Sequence, residues 1–528
     1  MFDLIVVGAG TAGCVLAERL TRSGALKVLL VEAGETPSTQ FVKIPAGFTR
    51  LFKGKHDWAF ESEPQLSARG RRVFMPCGKM LGGSANMNAQ IHQWCHPQDY
   101  AEWVAAGASG WSWDDVAPVL RAQEWLRGPG DDASRGRNGV MPVTLNREAH
   151  RLSHAFVAAA RGAGLGDQQH YNGGAYEGAW IPEIAHLDGR RHSVYDACLV
   201  PTRARTNLQV VTAAQVTRVD LGDGRATGVT VHCGASEQSY RARGVVLAAG
   251  ALGSPKTLLL SGIGPAAELS AFGIRVRKDA PEVGANLQDH PLAAMVFRTR
   301  GTSTLRKAGS LPSFLRYLLF KSGMLASNGI EGIAFARSSP ELPAPDIELL
   351  VTPLEWRNQA LEPPQVDAIS IAAAVVAPRS RGRLSLRSVD PLAAPRIDLG
   401  LLSDPEGVDR RVMLAAMRLS RRIVASAPLS EFIAEELKPG ASCQSDEELF
   451  ARACDDLQTV YHPSSTCRMG SDPRSVVDPE LRVRGVAGLW VADASVMPSV
   501  PRGHPNAVVA MIAHRAGDWI ERDLRRAM

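Results

Sequence analysis

The sequence lacks the long apolar run of roughly 18 residues that a membrane-spanning helix needs. It also lacks any block of lysine and arginine, and its formal net charge of +5 is small for 528 residues. Nucleic acids and anionic membrane surfaces attract concentrated positive charge along a chain. These absences predict a protein with no membrane span and no nucleic-acid partner.

Cysteine is sparse and carries no pattern. The eight cysteines are scattered, without a CxxC pair or the Cys/His spacing of a metal site. We therefore predict structural thiols and no metal ligands. The first apolar run begins at Phe2, which leaves no room for a signal peptide and favours a cytoplasmic protein.

The sequence does contain an ordered glycine motif at its start. An apolar run of strand length at residues 2–7 leads into Gly8-Ala9-Gly10-Thr11-Ala12-Gly13 and then into a segment with helical apolar spacing. A second apolar strand at residues 27–31 ends at Glu32. The order of strand, GxGxxG, helix, strand and acid predicts a dinucleotide-binding unit.

Each residue type has a physical task in such a unit. Gly8 allows the tight turn, Gly10 lets the backbone approach a pyrophosphate, and Gly13 lets the helix lie close to the strand. The free N–H groups and the positive dipole end of that helix hold the phosphates. Glu32 can accept a hydrogen bond from a ribose hydroxyl, and its charge disfavours a 2′-phosphate. These residues alone leave both NAD and FAD open.

Further small-residue segments follow. The loop at 78–88 is dense in Gly, Ser and Asn, which indicates backbone packed against a flat, extended ligand. Residues 244–250 and 489–494 are apolar strands that end in small or acidic residues, and His504-Pro505-Asn506 precedes a helix. Between 291 and about 455 the glycine loops vanish, and alternating stretches predict a mostly β second domain.

With these motifs in this order, the chain resembles the glucose–methanol–choline (GMC) flavoprotein oxidoreductases over nearly its whole length. Residues 250–264 fit one of the family's two signature patterns. The loop at 78–88 looks like the other, with Ala85 where Ser, Thr or Gly is usual. The resemblance implies FAD as the cofactor.

The resemblance also implies a fold of two interleaved domains. We expect the α/β class, with an α+β arrangement for the chain as a whole. A Rossmann-like FAD-binding domain would be interleaved with a β-sheet-based substrate-binding domain. We expect the FAD domain at residues 1–145, 191–295 and 456–528. The substrate domain would comprise residues 146–190 and 296–455.

The resemblance assigns a cofactor site residue by residue. Val216 would touch the adenine, Asn88 would lie near flavin N5, and Asn506 would face the pyrimidine edge of the flavin. Asp493 and Ala494 would meet the pyrophosphate and the ribityl chain. The full expected set is Gly8, Gly10, Thr11, Ala12, Gly13, Glu32, Ala33, Gly83, Ser84, Asn88, Val216, Ala249, Gly250, Asp493, Ala494, Pro505 and Asn506.

Two histidines match the family's catalytic positions. His462 matches the catalytic histidine, and His504 falls on the second position of the family's His–Asn or His–His pair. Oxidising an alcohol needs a base for the hydroxyl proton, and histidine titrates near neutrality. We expect His462 to be this base and His504 to orient the alcohol.

Some positions depart from the family pattern. Cys77 stands where arginine is frequent, and Ser465 replaces a usual glycine. Trp94 is expected either to line the pocket or to pack in the core. Arg502, beside the second histidine, is a candidate for binding an anionic substrate.

The sequence therefore predicts an FAD-dependent oxidase or dehydrogenase that converts a primary alcohol to an aldehyde. Its expected partners are a small alcohol and an electron acceptor, either oxygen or a quinone. The alternatives are a lyase or photodecarboxylase on the same flavin scaffold, and an FAD-binding relic without catalysis. The presence of both His462 and His504 favours alcohol oxidation.

We predict that the purified protein is yellow and that acid precipitation releases its FAD into the supernatant. Covalently flavinylated members of the family carry a histidine where this chain has Met87, and a thioether forms no such link. Absorbance of the supernatant and the pellet measures the outcome. Flavin that stays with the precipitated chain would contradict the prediction.

Overall fold

The computed structural model describes residues 1–131, 133–166, 171–174, 176–234 and 236–526. Within these ranges the chain forms two seven-stranded sheets and several two- or three-stranded ones. Helices connect and cover the large sheets. The predicted α/β class is confirmed.

The first large sheet carries the N-terminal glycine motif. Its strands, in order, are Leu208–Val211, Val28–Val31, Phe2–Val7, Ser236–Leu247, Arg225–Cys233 and Ala214–Gly222, with Leu489–Val491 beside Ser236–Leu247. The first four pair in parallel, as does Leu489–Val491, whereas the last two are antiparallel. The central strands are continuously apolar because parallel strands are covered on both faces.

Two helices pack together against this sheet. Thr11–Thr21 begins in the glycine motif, and Asn506–Arg526 lies along it, with an ion pair between Arg19 and Asp518. A Cβ added at Gly13 would lie 1.8 Å from the Gly8 carbonyl oxygen. Only glycine therefore allows the first helix to lie so close to the turn that precedes it.

The second large sheet is antiparallel. Its strands, in order, are Ile433–Lys438, Pro291–Thr299, Ala368–Val375, Ile347–Thr352, Gly332–Ala336 and Gly178–Trp180, with Gln458–Thr459 beside Pro291–Thr299. Helices Arg151–Gly162 and Val408–Val424 pack on one face. Because side chains alternate along a strand, every second residue points to the opposite face.

The remaining elements are shorter. The other α-helices are Pro97–Ala105, Trp113–Gln123, Val200–Thr202, Gly250–Leu260, Ala266–Ala271, Leu311–Phe320 and Asp446–Asp455. The minor sheets contain Phe60–Glu61, Phe74–Met75, Glu124–Leu126, Met141–Leu145, Glu183–Ile184, His186–Leu187, Arg190–Arg191, Ile263–Gly264, Lys278–Asp279, Arg383–Ser385 and Arg396–Asp398. Across the described ranges, no helix combines the length and the hydropathy needed to cross a bilayer.

Two expected domain boundaries fall inside the second sheet. The boundary at residue 295 cuts strand Pro291–Thr299, which pairs along most of its length with Ala368–Val375. The boundary at 456 places Gln458–Thr459 in the FAD domain, although this strand pairs with Pro291–Thr299. Backbone pairing decides which sheet these two strands join, and this pairing cannot be read from their composition. The division into interleaved domains remains a prediction.

We predict that Gly13→Ala destabilises the apoprotein by about 1–3 kcal/mol, the usual cost of overpacking, because its Cβ would collide with the Gly8 carbonyl. Gly10→Ala is the matched control. A Cβ at Gly10 meets no atom within 4 Å, and the backbone φ of −73° suits alanine. Urea unfolding should separate the two variants, with Gly10→Ala nearly as stable as the parent chain.

The FAD content of the same two variants gives a second test. Gly10→Ala should fold but retain less FAD, because its methyl group fills the space through which the backbone meets a pyrophosphate. Equal unfolding free energies for the two variants, or full FAD content in Gly10→Ala, would contradict this account of the motif.

Candidate active site

A cavity of about 800 Å³ is lined by residues from both large sheets. This volume lies in the usual range for cofactor and ligand sites. Of the expected cofactor residues, all but Gly13 line it, and His462 and His504 do so as well. Gly13 lies behind the cavity, against the Gly8 carbonyl. The fold thus brings the predicted site residues from both ends of the chain around one space.

Two helix N-termini meet at this cavity. The Thr11 hydroxyl donates to the Asn506 side-chain oxygen at 2.6 Å, and each residue begins a helix. Gly10, the N-cap of the first helix, offers no side chain to its free N–H groups. Free N–H groups at a helix N-terminus bind anions, and the helix dipole adds to the attraction.

Glu32 is held rigidly at the end of strand Val28–Val31. Its carboxylate accepts hydrogen bonds of 2.8 Å from the backbone N–H groups of Ala9 and Gly34. Burial raises the pKa of Glu32 to about 7, while these N–H groups oppose the rise. A carboxylate has further acceptor sites, so Glu32 can also accept from a hydroxyl in the cavity.

Asp493 ties the C-terminal segment to the first sheet. Its carboxylate accepts from the Gly250 N–H at 2.9 Å and from the hydroxyls of Ser254 and Ser495. Burial raises the pKa of this carboxyl group above its usual value. The acid therefore organises the start of helix Gly250–Leu260 beside the cavity.

The two expected catalytic histidines lie next to each other. The ring centroids of His462 and His504 are 4.8 Å apart, with the planes at 85°. The Nδ1 of His462 lies 3.1 Å from the Nδ1 of His290, so one ring donates and the other accepts. Among the described residues, none forms a hydrogen bond with the Nε2 of His462. This nitrogen is available to a molecule in the cavity.

Burial lowers the pKa of His462 well below its usual value, and the nearby His504 and His290 lower it further. The pKa of His290 is lowered to about 3, first by burial and then by the nearby His504 and Arg502. Both imidazoles are therefore neutral at pH 7. A neutral imidazole with a free nitrogen is the form that can accept a proton.

His504 has a carboxylate partner that sequence analysis missed. Its Nε2 lies 3.1 Å from the Oε1 of Glu348, and its backbone N–H donates to Gln93 at 2.9 Å. Glu348 is completely buried, and its Oε2 has no hydrogen-bond partner among the described residues. The carboxylate fixes the His504 ring through one nitrogen.

The second sheet forms a largely apolar wall of the cavity. The lining residues alternate along its strands: Leu292 and Ala294, Leu350 and Thr352, Ser370 and Ala372. Glu348 has the same parity as Leu350 on strand Ile347–Thr352, and this alternation directs it toward the cavity side. A substrate in this region would meet apolar surface beside the imidazoles.

Arg191 is a second residue that sequence analysis missed. Its buried guanidinium donates to the backbone oxygens of Val42, Ala85 and Asn88 and to the Asn88 side chain. It therefore holds the 78–88 loop from behind. Burial lowers the pKa of this guanidinium to about 9. Arg191 stands in a two-residue strand that no periodicity marks.

The departures from the family pattern receive structural explanations. The Arg502 guanidinium pairs with Asp99 and Glu102, and Arg502 does not line the cavity. Trp94 is buried outside the cavity, with the Arg135 guanidinium 5.5 Å from its ring centroid. Ser465 has a φ of 73°, a conformation that favours glycine. Cys77 lines the cavity, and burial raises the pKa of its thiol to about 12.

Within the described part of the chain, no group of His, Cys, Asp and Glu side chains is arranged to hold a metal ion. The residues present instead fit a dinucleotide with a flat ring system. The buried acid at Glu32, the open space at Gly10 and the two helix N-termini belong to the same cavity.

Comparison with known proteins points to one family. Models described as GMC oxidoreductase match residues 2–292 and 378–513. A protein of Mycobacterium tuberculosis, named an uncharacterised GMC-type oxidoreductase, is 42% identical over 98% of this chain and 99% of its own length. The oxygen-dependent choline dehydrogenase of Sinorhizobium fredii is 36% identical over 98% of this chain and 95% of its own length.

The fold is shared with solved structures. A structure of Aspergillus oryzae formate oxidase, in which FAD modification was studied, superposes with a TM-score of 0.92. The two sequences are 26% identical, and the match covers 100% of this chain and 99% of the other. The chain belongs to the GMC oxidoreductase family and is an FAD-dependent enzyme acting on CH–OH donors.

Proposed function

We propose that this protein oxidises a primary alcohol to an aldehyde, with His462 as the general base. The observation that carries this proposal is the pair of adjacent imidazoles of His462 and His504 at the cavity, of which His462 is kept neutral by its surroundings. The partners of the reaction are a small alcohol and an electron acceptor, either oxygen or a quinone. The choline dehydrogenase among the relatives supports the alcohol as substrate class.

The proposed cofactor site uses the residues around the cavity. Glu32 accepts from a ribose hydroxyl, Gly10 and the N-terminus of helix Thr11–Thr21 hold the pyrophosphate, and Asn506 faces the pyrimidine edge. Met87 stands at the position of the family's covalent histidine, which supports non-covalent FAD. When bound, FAD supplies an acceptor for the hydride that leaves the alcohol carbon.

The protein's own groups handle the proton. The Nε2 of His462 accepts the hydroxyl proton, and its Nδ1 contact with His290 keeps the ring in place. His504 orients the hydroxyl oxygen, and its own ring is fixed by Glu348 at 3.1 Å. The apolar wall formed by Leu292, Leu350 and its neighbours keeps water away from the developing alkoxide.

The relatives named above are oxidoreductases, and they give no support to a lyase or photodecarboxylase. The chemistry of the site agrees with this. A base next to a second hydrogen-bonding imidazole suits an alcohol hydroxyl, whereas a decarboxylating site must hold a carboxylate. Arg502, two residues before His504, is already neutralised by Asp99 and Glu102.

We predict that Arg191→Met lowers both the stability of the protein and its FAD content. The change leaves buried acceptors at Ala85 and Asn88 unsatisfied, at about 1–3 kcal/mol for each group, and releases the loop that lines the cavity. Arg190→Met, at the exposed neighbouring position, is the control and should stay within about 0.5 kcal/mol. Urea unfolding and the ratio of flavin to protein absorbance give the result. Equal behaviour of the two variants would refute the role of Arg191.

We predict that His462→Ala slows anaerobic flavin reduction by an alcohol about 10²–10⁴-fold, the usual contribution of a general base. His504→Ala should cost less, because only an orienting hydrogen bond is lost. Stopped-flow absorbance measures the rates, after FAD content has been shown to match the parent enzyme.

His154→Ala, at an exposed position on helix Arg151–Gly162, is the matched control and should leave the rate unchanged. A near-normal rate in His462→Ala would overturn the assignment of the base. A larger defect in His504→Ala than in His462→Ala would reverse the two roles.

A further inference from the structure

Helix Leu311–Phe320 presents its apolar face to solvent. Its apolar residues recur at the i, i+3, i+4, i+7 and i+8 spacing that normally faces a protein core. Here all five are exposed, and Leu311 and Leu319 each have 69% of their surface accessible. The five residues, which we call the outer stripe, are Leu311, Phe314, Leu315, Leu318 and Leu319.

The helix contacts the body through Tyr317. Tyr317 is its one buried residue, and its hydroxyl donates to the Lys43 carbonyl at 3.4 Å. Tyr317 packs with Ile44 and Ala326 in a small cluster. At 100° per residue, Tyr317 lies away from the centre of the outer stripe. The outer stripe therefore faces solvent and is not part of the protein core.

Positive charge surrounds this face. Lys307, Arg316 and Lys321 have no carboxylate within 4.0 Å among the described residues, and neither does the exposed Arg190, whose neighbour Gly189 contacts Lys321. Two acids of the region pair with cations, Asp367 with Arg306 and Asp188 with Arg127. Glu148 accepts from the Gly323 N–H and has no cation within 4.0 Å among the described residues, so its charge offsets part of this positive charge. The surface thus combines an apolar stripe with unpaired cations.

We propose that the outer stripe docks on an anionic lipid surface, with helix Leu311–Phe320 lying in the plane of the interface. Amphipathic helices with basic flanks bind membranes by burying their apolar face at the headgroup boundary, and anionic lipids attract the flanking cations. A second copy of this chain is the poorer occupant, because it would bring the same unpaired cations face to face. This docking is independent of the alcohol chemistry.

The helix is connected to the wall of the cavity. The segment after it contains Gly329, beside the Phe48 ring, and Ile330; Phe48 and Ile330 both line the cavity. Segment Pro45–Leu51 also packs against Met324–Ala326, directly after the helix. Docking through the outer stripe would therefore bring this wall of the active site close to the membrane.

Flotation of the FAD-loaded enzyme with vesicles tests the proposal. The parent enzyme should float with phosphatidylcholine vesicles that contain phosphatidylglycerol, less with pure phosphatidylcholine, and less at high salt. Leu319→Glu should weaken binding about tenfold or more, because a charge replaces a side chain that enters the interface. Arg316→Glu should weaken binding to the anionic vesicles while leaving the apolar stripe intact.

Leu66→Glu is the control. Leu66 is 97% exposed and lies beside helix Asp446–Asp455, so it should not change flotation. FAD content and the melting temperature should match the parent in all variants. The proposal would be overturned if the parent enzyme bound neither kind of vesicle, or if Leu319→Glu bound as well as the parent. It would also be overturned if the parent enzyme self-associated in sedimentation velocity and Leu319→Glu abolished this association. That result would favour a second copy of the chain as the occupant.

Discussion

The hydrogen bond from the Thr11 hydroxyl to Asn506 joins the two ends of the chain at the cavity. Each partner begins a long helix, so two positive dipole ends, each worth about 0.3–1 kcal/mol to a nearby anion, meet at one place. Gly13 sets the position of the first helix, because a larger residue would strike the Gly8 carbonyl. His504 stands two residues before Asn506, so the same contact also locates the segment that carries this histidine.

Burial decides the chemistry that this arrangement can perform. Desolvation keeps His462 and His290 neutral, and Glu348 fixes His504 while its second oxygen has no partner among the described residues. An unsatisfied buried acceptor costs about 1–3 kcal/mol. A site optimised only for stability would not contain the unpaired carboxylate oxygen of Glu348. The cluster is better explained as a site whose protonation states and ring orientations are set in advance.

The sequence predicts the parts of the site that depend on local geometry. The glycine spacing at 8, 10 and 13 and the acid at 32 identify the dinucleotide unit, because turn and helix start are decided within a few residues. Glu348 and Arg191 could not be predicted in this way. Glu348 is one acid in an apolar strand, and its direction depends on which sheet face meets the cavity. Arg191 acts on a loop a hundred residues earlier, through contacts that only the fold creates.

The central claim is that this cavity couples alcohol oxidation to FAD reduction. The most direct measurement is a single turnover without oxygen, in which aldehyde and reduced flavin are quantified together after primary alcohols are added. The account predicts that some primary alcohol bleaches the flavin and yields aldehyde in an amount equal to the flavin reduced. Flavin that stays oxidised with every alcohol, or product that forms without flavin reduction, would contradict it.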